Sequence, residues 1–345
     1  MQLFHVLSGW LVGGQLFRAL GRAGRLDVAR FWGRRWLRTL PAYYAILVLR
    51  MLSGRDPVAR TVGMLVFTQN YTAPDAWVVT WSLCVQEHFY LALPLVLLLV
   101  ARRRRLGLVV GLGFLLLSPL LRWWVFSPSL SGNDYFALIE APTHMRLDAV
   151  VLGVLLAALS ERAGSTWIWC RKKAPELALG GVLILAAIAF GPWLFDPERK
   201  EAVSAFACAT GILGLSVGGA MLIPAAVTAS VSGRRWWHAP ARWIADHAYA
   251  LYLLHTSVYG AVAPMSKRLG LPPAAIMIAM VAATTCAAWV LRTAVEKPAL
   301  RAREWLLARA PPAEPPAPSM LLASDVEVRE PERLAGGPRP EGGGS

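Results

Sequence analysis

Three apolar stretches of the chain carry side chains that can give or take protons, and such groups are costly to keep in apolar surroundings. In residues 82–101 the run Gln86-Glu87-His88 interrupts a stretch made mostly of Leu, Val, Phe and Ala. At helical spacing His88 shares a face with Trp81 and Cys84, and Glu87 shares one with Tyr90 and Leu91. The stretch 145–160 opens on His144-Met-Arg146-Leu-Asp148, which puts His144 and Asp148 one turn apart. Residues 243–263 hold Asp246, Tyr249, Tyr252, His255 and Tyr259 at spacings of three or four, a continuous polar and aromatic stripe. These residue types suit proton transfer, and in an apolar bundle their faces should meet, because lipid does not accept them. Each has a plainer alternative. Glu87 can neutralise Arg146 or Arg50 as packing glue, His255 can be a hydrogen-bonded core histidine, and the tyrosines can form an interfacial belt.

A fourth group is basic. Phe31-Trp32-Gly33-Arg34-Arg35-Trp36-Leu37-Arg38 interleaves arginine with tryptophan. One reading is an anchor on anionic lipid, worth about 1 kcal/mol per basic residue near the surface. The other is recognition of a phosphate-bearing ligand by arginine forks. No metal is expected, because no Cys/His pair has ligand spacing. Of the four cysteines, Cys84, Cys208 and Cys286 fall in apolar segments and Cys170 in a basic loop, so no disulfide framework is suggested.

The elements that must position these residues follow from composition. Over 345 residues the chain is 56% hydrophobic and only 16% charged, where soluble chains carry roughly 25% charge. Mean hydropathy is +0.47. Disordered, fibrous and secreted disulfide-rich classes are excluded. An all-α, polytopic transmembrane helix bundle is expected, embedded in the lipid bilayer. About nine spanning helices are read at 1–17, 39–53, 82–101, 106–126, 145–160, 176–195, 202–228, 243–263 and 273–294. Residues 58–72 read as a re-entrant or interfacial segment. Residues 1–308 form the membrane domain, and the Pro-, Gly- and Glu-rich residues 309–345 read as a disordered tail.

The net charge of +14 invites a nucleic-acid reading. Its basic residues instead cluster between apolar stretches, the pattern of topology signals, so no nucleic-acid partner is expected. With loop 18–38 in the cytoplasm, the inside loops hold 18 basic residues and the outside loops six. The tail is then cytoplasmic, and a multi-pass protein of the inner (cytoplasmic) membrane is expected.

Taken in order, the motifs resemble one family, the membrane-bound acyltransferase family 3. Phe4 to Leu11 (FHVLSGWL) is similar to its FFVLSGFL segment, and Phe31 to Tyr44 (FWGRRWLRTLPAYY) to its F-x-x-RR-x-x-R-x-x-P-x-Y block. Trp81 to Tyr90 (WSLCVQEHFY) resembles WSLxxEEQFY. Arg146-Leu-Asp148 with Gly153 resembles RxDxxxxG, Tyr249 to His255 resembles SYxxYLxH, and Glu296-Lys-Pro298 matches a closing E-x-P.

The resemblance implies a ten-helix O-acyltransferase that takes an acyl group, acetyl first among candidates, from acyl-CoA (acetyl-CoA) on the cytoplasmic side. The acceptor would be a hydroxyl of a sugar, a cell-envelope polysaccharide or a small molecule. Arg34, Arg35 and Arg38 would hold the coenzyme's phosphates. Glu87, His88, Arg146, Asp148 and His255 would line the transfer site, where a base and oxyanion donors are needed.

Two departures qualify this picture. The family's first helix, with an arginine and the histidine proposed as base, would precede residue 1, so the reading expects a start further upstream or a truncated gene. Gln86 replaces the first acid of the EE pair, and glutamine cannot ionise. His5 also stands where the family has an aromatic. Two rivals stay open: a catalytically inactive paralogue acting as a binding or partner subunit, and a transporter with polar helices along its path. An HxxxD reading of His144 and Asp148 lacks the flanking residues of that soluble-enzyme motif.

Overall fold

The computed structural model describes residues 1–54, 58–100, 103–191, 205–229 and 238–309. Among them the fold is helical, without a strand. The expected tail from residue 310 onward, and the expected loop residues Arg55, Arg102, Arg199, Lys200, Arg234 and Arg235, lie outside the described residues.

The core pairing is set by small residues. Helix α1 (Gln2–Ala23) crosses α8 (Leu147–Arg162) where Gly9 meets Gly153. A Cβ on Gly9 would collide with the Val150 carbonyl, and one on Gly153 with the Val6 carbonyl. Gly13 and Ala157 continue the contact one turn further, so backbones approach as they do in small-residue membrane crossings. Around this pair stand α5 (Trp81–Val100), α6 (Arg104–Val125) and α11 (Ala205–Thr228), the last also lying along α10 (Ala174–Phe190). Helix α2 (Val28–Leu52) packs on α5, and α12 (His238–Arg268) pairs with α13 (Pro273–Leu291).

The described part of each of the nine expected stretches lies mainly on a helix. Among the described residues four helical runs, Val78–Val100, Arg105–Val125, Ala205–Thr228 and Pro273–Leu306, are long and apolar enough to cross a membrane. A fifth arises if α9 (Gly164–Lys172) and α10 are one span, although they bend by 73° at Lys173, just before Pro175 in the first turn of α10. The last run joins α13 to α14 (Lys297–Arg309) through a π-turn at Arg292–Glu296.

Two local expectations shift, and a third segment gains detail. The basic segment 18–38 is not a loop. α1 continues to Ala23, Gly24 turns the chain at φ 64°, and Asp27 caps α2 by accepting from the Arg30 N–H at 2.9 Å. The basic block therefore rides on the same helix as the apolar stretch 39–53. Residues 58–72 form two short helices, α3 (Val58–Leu65) and α4 (Gln69–Thr72), joined through Phe67 at φ 60°. Last, α8 begins at Leu147, after a one-turn 3-10 segment Thr143–Met145, so His144 and Asp148 do not share one α-helical face.

Candidate functional site

The first polar group forms where α2 meets α5 and α1. Pro41 and the apolar residues after it bury one face of α2, which carries Arg35 and Thr39 inward and leaves Arg34 and Arg38 exposed. Arg35 donates from Nη2 to Gln15 Oε1 at 3.0 Å, with its guanidinium 5.1 Å above the Tyr90 ring. Tyr90 is held by Ser8 at 2.8 Å through its hydroxyl and by the Trp32 indole N–H, 3.0 Å from its carbonyl. Glu87 is buried on the same side of α5. Its Oε1 accepts from the Thr39 hydroxyl at 3.0 Å, and the Tyr249 hydroxyl donates to the Thr39 carbonyl at 2.9 Å. Arg35 lies in its electrostatic neighbourhood. Glu87 Oε2 has no well-formed hydrogen bond, although the Trp36 indole lies beside it. The carboxylate thus neutralises neither Arg146 nor Arg50. Arg50 binds the Ala76 carbonyl at 3.1 Å and stacks on Trp77.

A second group gathers at the start of α5, about 9 Å along the helix axis from Glu87 at ~1.5 Å per residue. Arg146 is buried with its guanidinium 5.1 Å above the Trp81 ring, its Nε donating to the Glu140 carbonyl at 2.9 Å. Ser82 and Tyr252 share a hydrogen bond at 2.5 Å, which docks the stripe of α12 onto α5. His5 meets the Trp81 edge at 6.1 Å, fully buried, with neither ring nitrogen hydrogen-bonded. One turn away both side-chain atoms of buried Gln2 are also unpartnered.

Asp148 is brought near Arg146 in sequence, but its carboxylate is spent. Oδ2 takes Arg122 Nη2 at 2.7 Å and Oδ1 accepts from the Ala149 N–H at 3.0 Å, with both partners of the ion pair fully buried. Arg122 also binds the Ala209 carbonyl at 3.0 Å and the Met145 carbonyl, tying α6, α8 and α11 together. His88 faces away from Glu87, its Nδ1 2.7 Å from Thr143 Oγ1. His255 is exposed and bonds only back to the Tyr252 carbonyl at 2.7 Å. Further along the stripe, Asp246 pairs with Arg292 at 3.3 Å and Tyr259 is exposed.

The structure therefore gathers Glu87 with Arg35, and Arg146 with Trp81. It sets His88 in a neighbouring cluster, locks Asp148 to Arg122, and leaves Arg34, Arg38 and His255 at the surface. Sequence reasoning missed Arg122, although a lone arginine inside the stretch 106–126 was the signal. It missed Thr39 and Thr143 because threonine hydroxyls are common in helices and turns and carry no signal of their own. Among the described residues no group of three His, Cys, Asp or Glu side chains could hold a metal ion.

Comparison with known proteins finds relatives of the chain. The chain is 25% identical over 294 residues to the peptidoglycan O-acetyltransferase OatA of Listeria monocytogenes, an alignment covering 77% of this chain and 45% of that protein. It is 26% identical over 300 residues to the putative peptidoglycan O-acetyltransferase YrhL of Bacillus subtilis, with the same coverage. A putative O-acetyltransferase of Staphylococcus aureus, SACOL0978, is 27% identical over 180 residues, 45% of this chain and 29% of that protein. The chain thus spans less than half the length of these relatives. No solved structure matches it. The model of the acyltransferase domain of the acyltransferase 3 family matches residues 1–293, and the chain belongs to that family.

Proposed function

We propose that this chain is an integral-membrane O-acyltransferase that moves an acetyl group from acetyl-CoA to a hydroxyl of a cell-envelope glycan. The observation that carries the reading is the buried Glu87, held by Thr39 beside Arg35 with one oxygen left unpaired, inside a chain of an acyltransferase family. A carboxylate oxygen without a partner in an apolar bundle is costly, which is reasonable where a substrate group completes it. The glycan is favoured because the relatives' names specify peptidoglycan.

In this reading all nine apolar helices cross the inner membrane, with residues 18–38 and the tail 309–345 on the cytoplasmic side and residues 1–308 as the membrane domain. The exposed Arg34 and Arg38 and the half-buried Arg35 receive the donor's phosphates, because arginine forks match phosphate geometry. Glu87 Oε2 orients the donor by accepting a hydrogen bond from an amide N–H of its pantetheine arm. His88 takes the proton of the attacking hydroxyl, and Arg146 steadies the oxyanion that develops. Asp148 acts through Arg122 as a positioning residue, and His255 meets the acceptor at the rim.

The test is direct. The full chain in liposomes is supplied with acetyl-labelled acetyl-CoA and a glycan acceptor, and both free coenzyme thiol and glycan-bound label are measured. The reading expects the two to rise together. Label that stays on the donor, with the protein folded, would return the chain to the inactive binding-subunit reading.

A further inference from the structure

Next to Glu87, but on another face of α5, lies a second constellation. His88 is half-buried, and its Nδ1 sits 2.7 Å from the hydroxyl of Thr143, a buried residue at the 3-10 turn before α8. Buried Asn70 on α4 donates from Nδ2 to the same hydroxyl oxygen at 3.0 Å and to the Ala141 carbonyl at 3.2 Å. The Thr143 backbone N–H donates to the Tyr71 hydroxyl at 3.1 Å, which leaves that hydroxyl to donate to His144 Nδ1 at 3.1 Å. Thr143 is thus fixed through both its backbone and its side chain.

The imidazole is oriented as well. Phe67 is the one non-glycine residue at positive φ among the described residues, at 60°, and its carbonyl adjoins the His88 ring. A bulky residue held in that region is an outlier that the surroundings must impose. A carbonyl can only accept, so it is served by an imidazole N–H, and with that hydrogen on Nε2 the nitrogen facing Thr143 is free to accept. Nδ1 is then a lone pair facing a hydroxyl that must donate to it. A hydroxyl on a histidine, with the histidine oriented by a third group, is the arrangement of an activated nucleophile. His88 is half-buried and Tyr71 exposed, so the pair lies close to the surface of the bundle.

We propose that Thr143, activated by His88, is a nucleophile that carries the acyl group as an ester between donor and acceptor. The proposal rests on the acyl-transfer reading above and adds a covalent intermediate to it. In the first step the Thr143 proton passes to His88 Nδ1 as Oγ1 bonds the carbonyl carbon of the acyl thioester. The carbon–sulfur bond breaks, and His88 returns the proton to the departing thiolate. In the second step the acceptor hydroxyl gives its proton to His88 and attacks the ester. The carbon–Oγ1 bond breaks, and the proton returns to Thr143. Asn70 holds Oγ1 in line and is a positioning residue.

The experiment uses the full chain in liposomes with labelled acetyl-CoA and no acceptor, stopped by acid and analysed by peptide mass. One acetyl group is expected on the peptide containing Thr143, discharged when glycan is added, with ping-pong kinetics overall. Thr143→Ser keeps adduct and transfer, whereas Thr143→Val loses the adduct and lowers transfer by about 100-fold or more. If Thr143→Val does not fold, the adduct on wild type and on Thr143→Ser decides. Transfer to glycan with no adduct and sequential kinetics, or a folded Thr143→Val that transfers as wild type does, overturns the proposal and leaves the acyl-transfer reading intact. A folded wild type that neither transfers nor forms the adduct overturns both.

Discussion

Three carboxylates are buried among the described residues, Glu87, Asp148 and Glu296, and the surroundings of the first two differ most instructively. Asp148 is fully enclosed with Arg122 at 2.7 Å, and each of its oxygens has a partner within the protein. Glu87 has Thr39 on one oxygen and no well-formed bond on the other. Both are acids in apolar stretches of the sequence, and burial alone does not separate them. What separates them is whether the protein itself completes the group. A completed pair holds helices together, and an incomplete one is where a ligand has something to add.

The largest effect expected is on the completed pair. Asp148→Leu leaves Arg122 buried and uncompensated and should cost about 3–5 kcal/mol, read as a lower melting temperature in detergent. The double variant Arg122→Met with Asp148→Leu should recover most of that loss. If the single variant is as stable as wild type, the pair is not the anchor and the contrast collapses.

Glu87→Gln should do the reverse. It keeps the shape and the Thr39 contact, so stability should hold, while acetyl transfer falls about 10- to 100-fold for the loss of one hydrogen bond to a charged group. A third site sharpens the distinction between an open group and a merely unsatisfied one. His5 is buried with both nitrogens unpartnered, and the aromatic His5→Phe should stabilise the fold by about 1–2 kcal/mol if no ligand uses it. A drop in transfer together with that gain would move His5 into the site. The smallest effect belongs to Thr39→Val, which removes the Thr39 hydrogen bond to Glu87 and should cost about 1 kcal/mol in stability, with transfer reduced less than by Glu87→Gln.

Much of the architecture was legible in the chain. Apolar stretches and ordered motifs pointed to a helical bundle and to the family, and the described part of each stretch lies mainly on a helix. The helix starts were harder. Asp27 as a cap and Gly24 at positive φ move the basic block from a loop onto α2, and capping is a local contest that hydropathy does not register. At the site, the ionisable residues announced themselves by being out of place, but their partners did not. Arg122 lies 26 residues from Asp148 and Thr143 lies 55 from His88, and nothing in their spacing says that they touch. His255 shows the opposite failure. A histidine on an aromatic stripe reads as interior, yet only Tyr249 and Tyr252 of that stripe dock inward, on Thr39 and Ser82.

The most direct test of the contrast is to measure, side by side and at equal folded amounts, acetyl transfer from labelled acetyl-CoA to glycan by wild type and by Glu87→Gln. The account predicts active wild type and a variant that is equally stable and about 10- to 100-fold slower. A Glu87→Gln chain that transfers as fast as wild type would show that the open carboxylate is not part of the machinery.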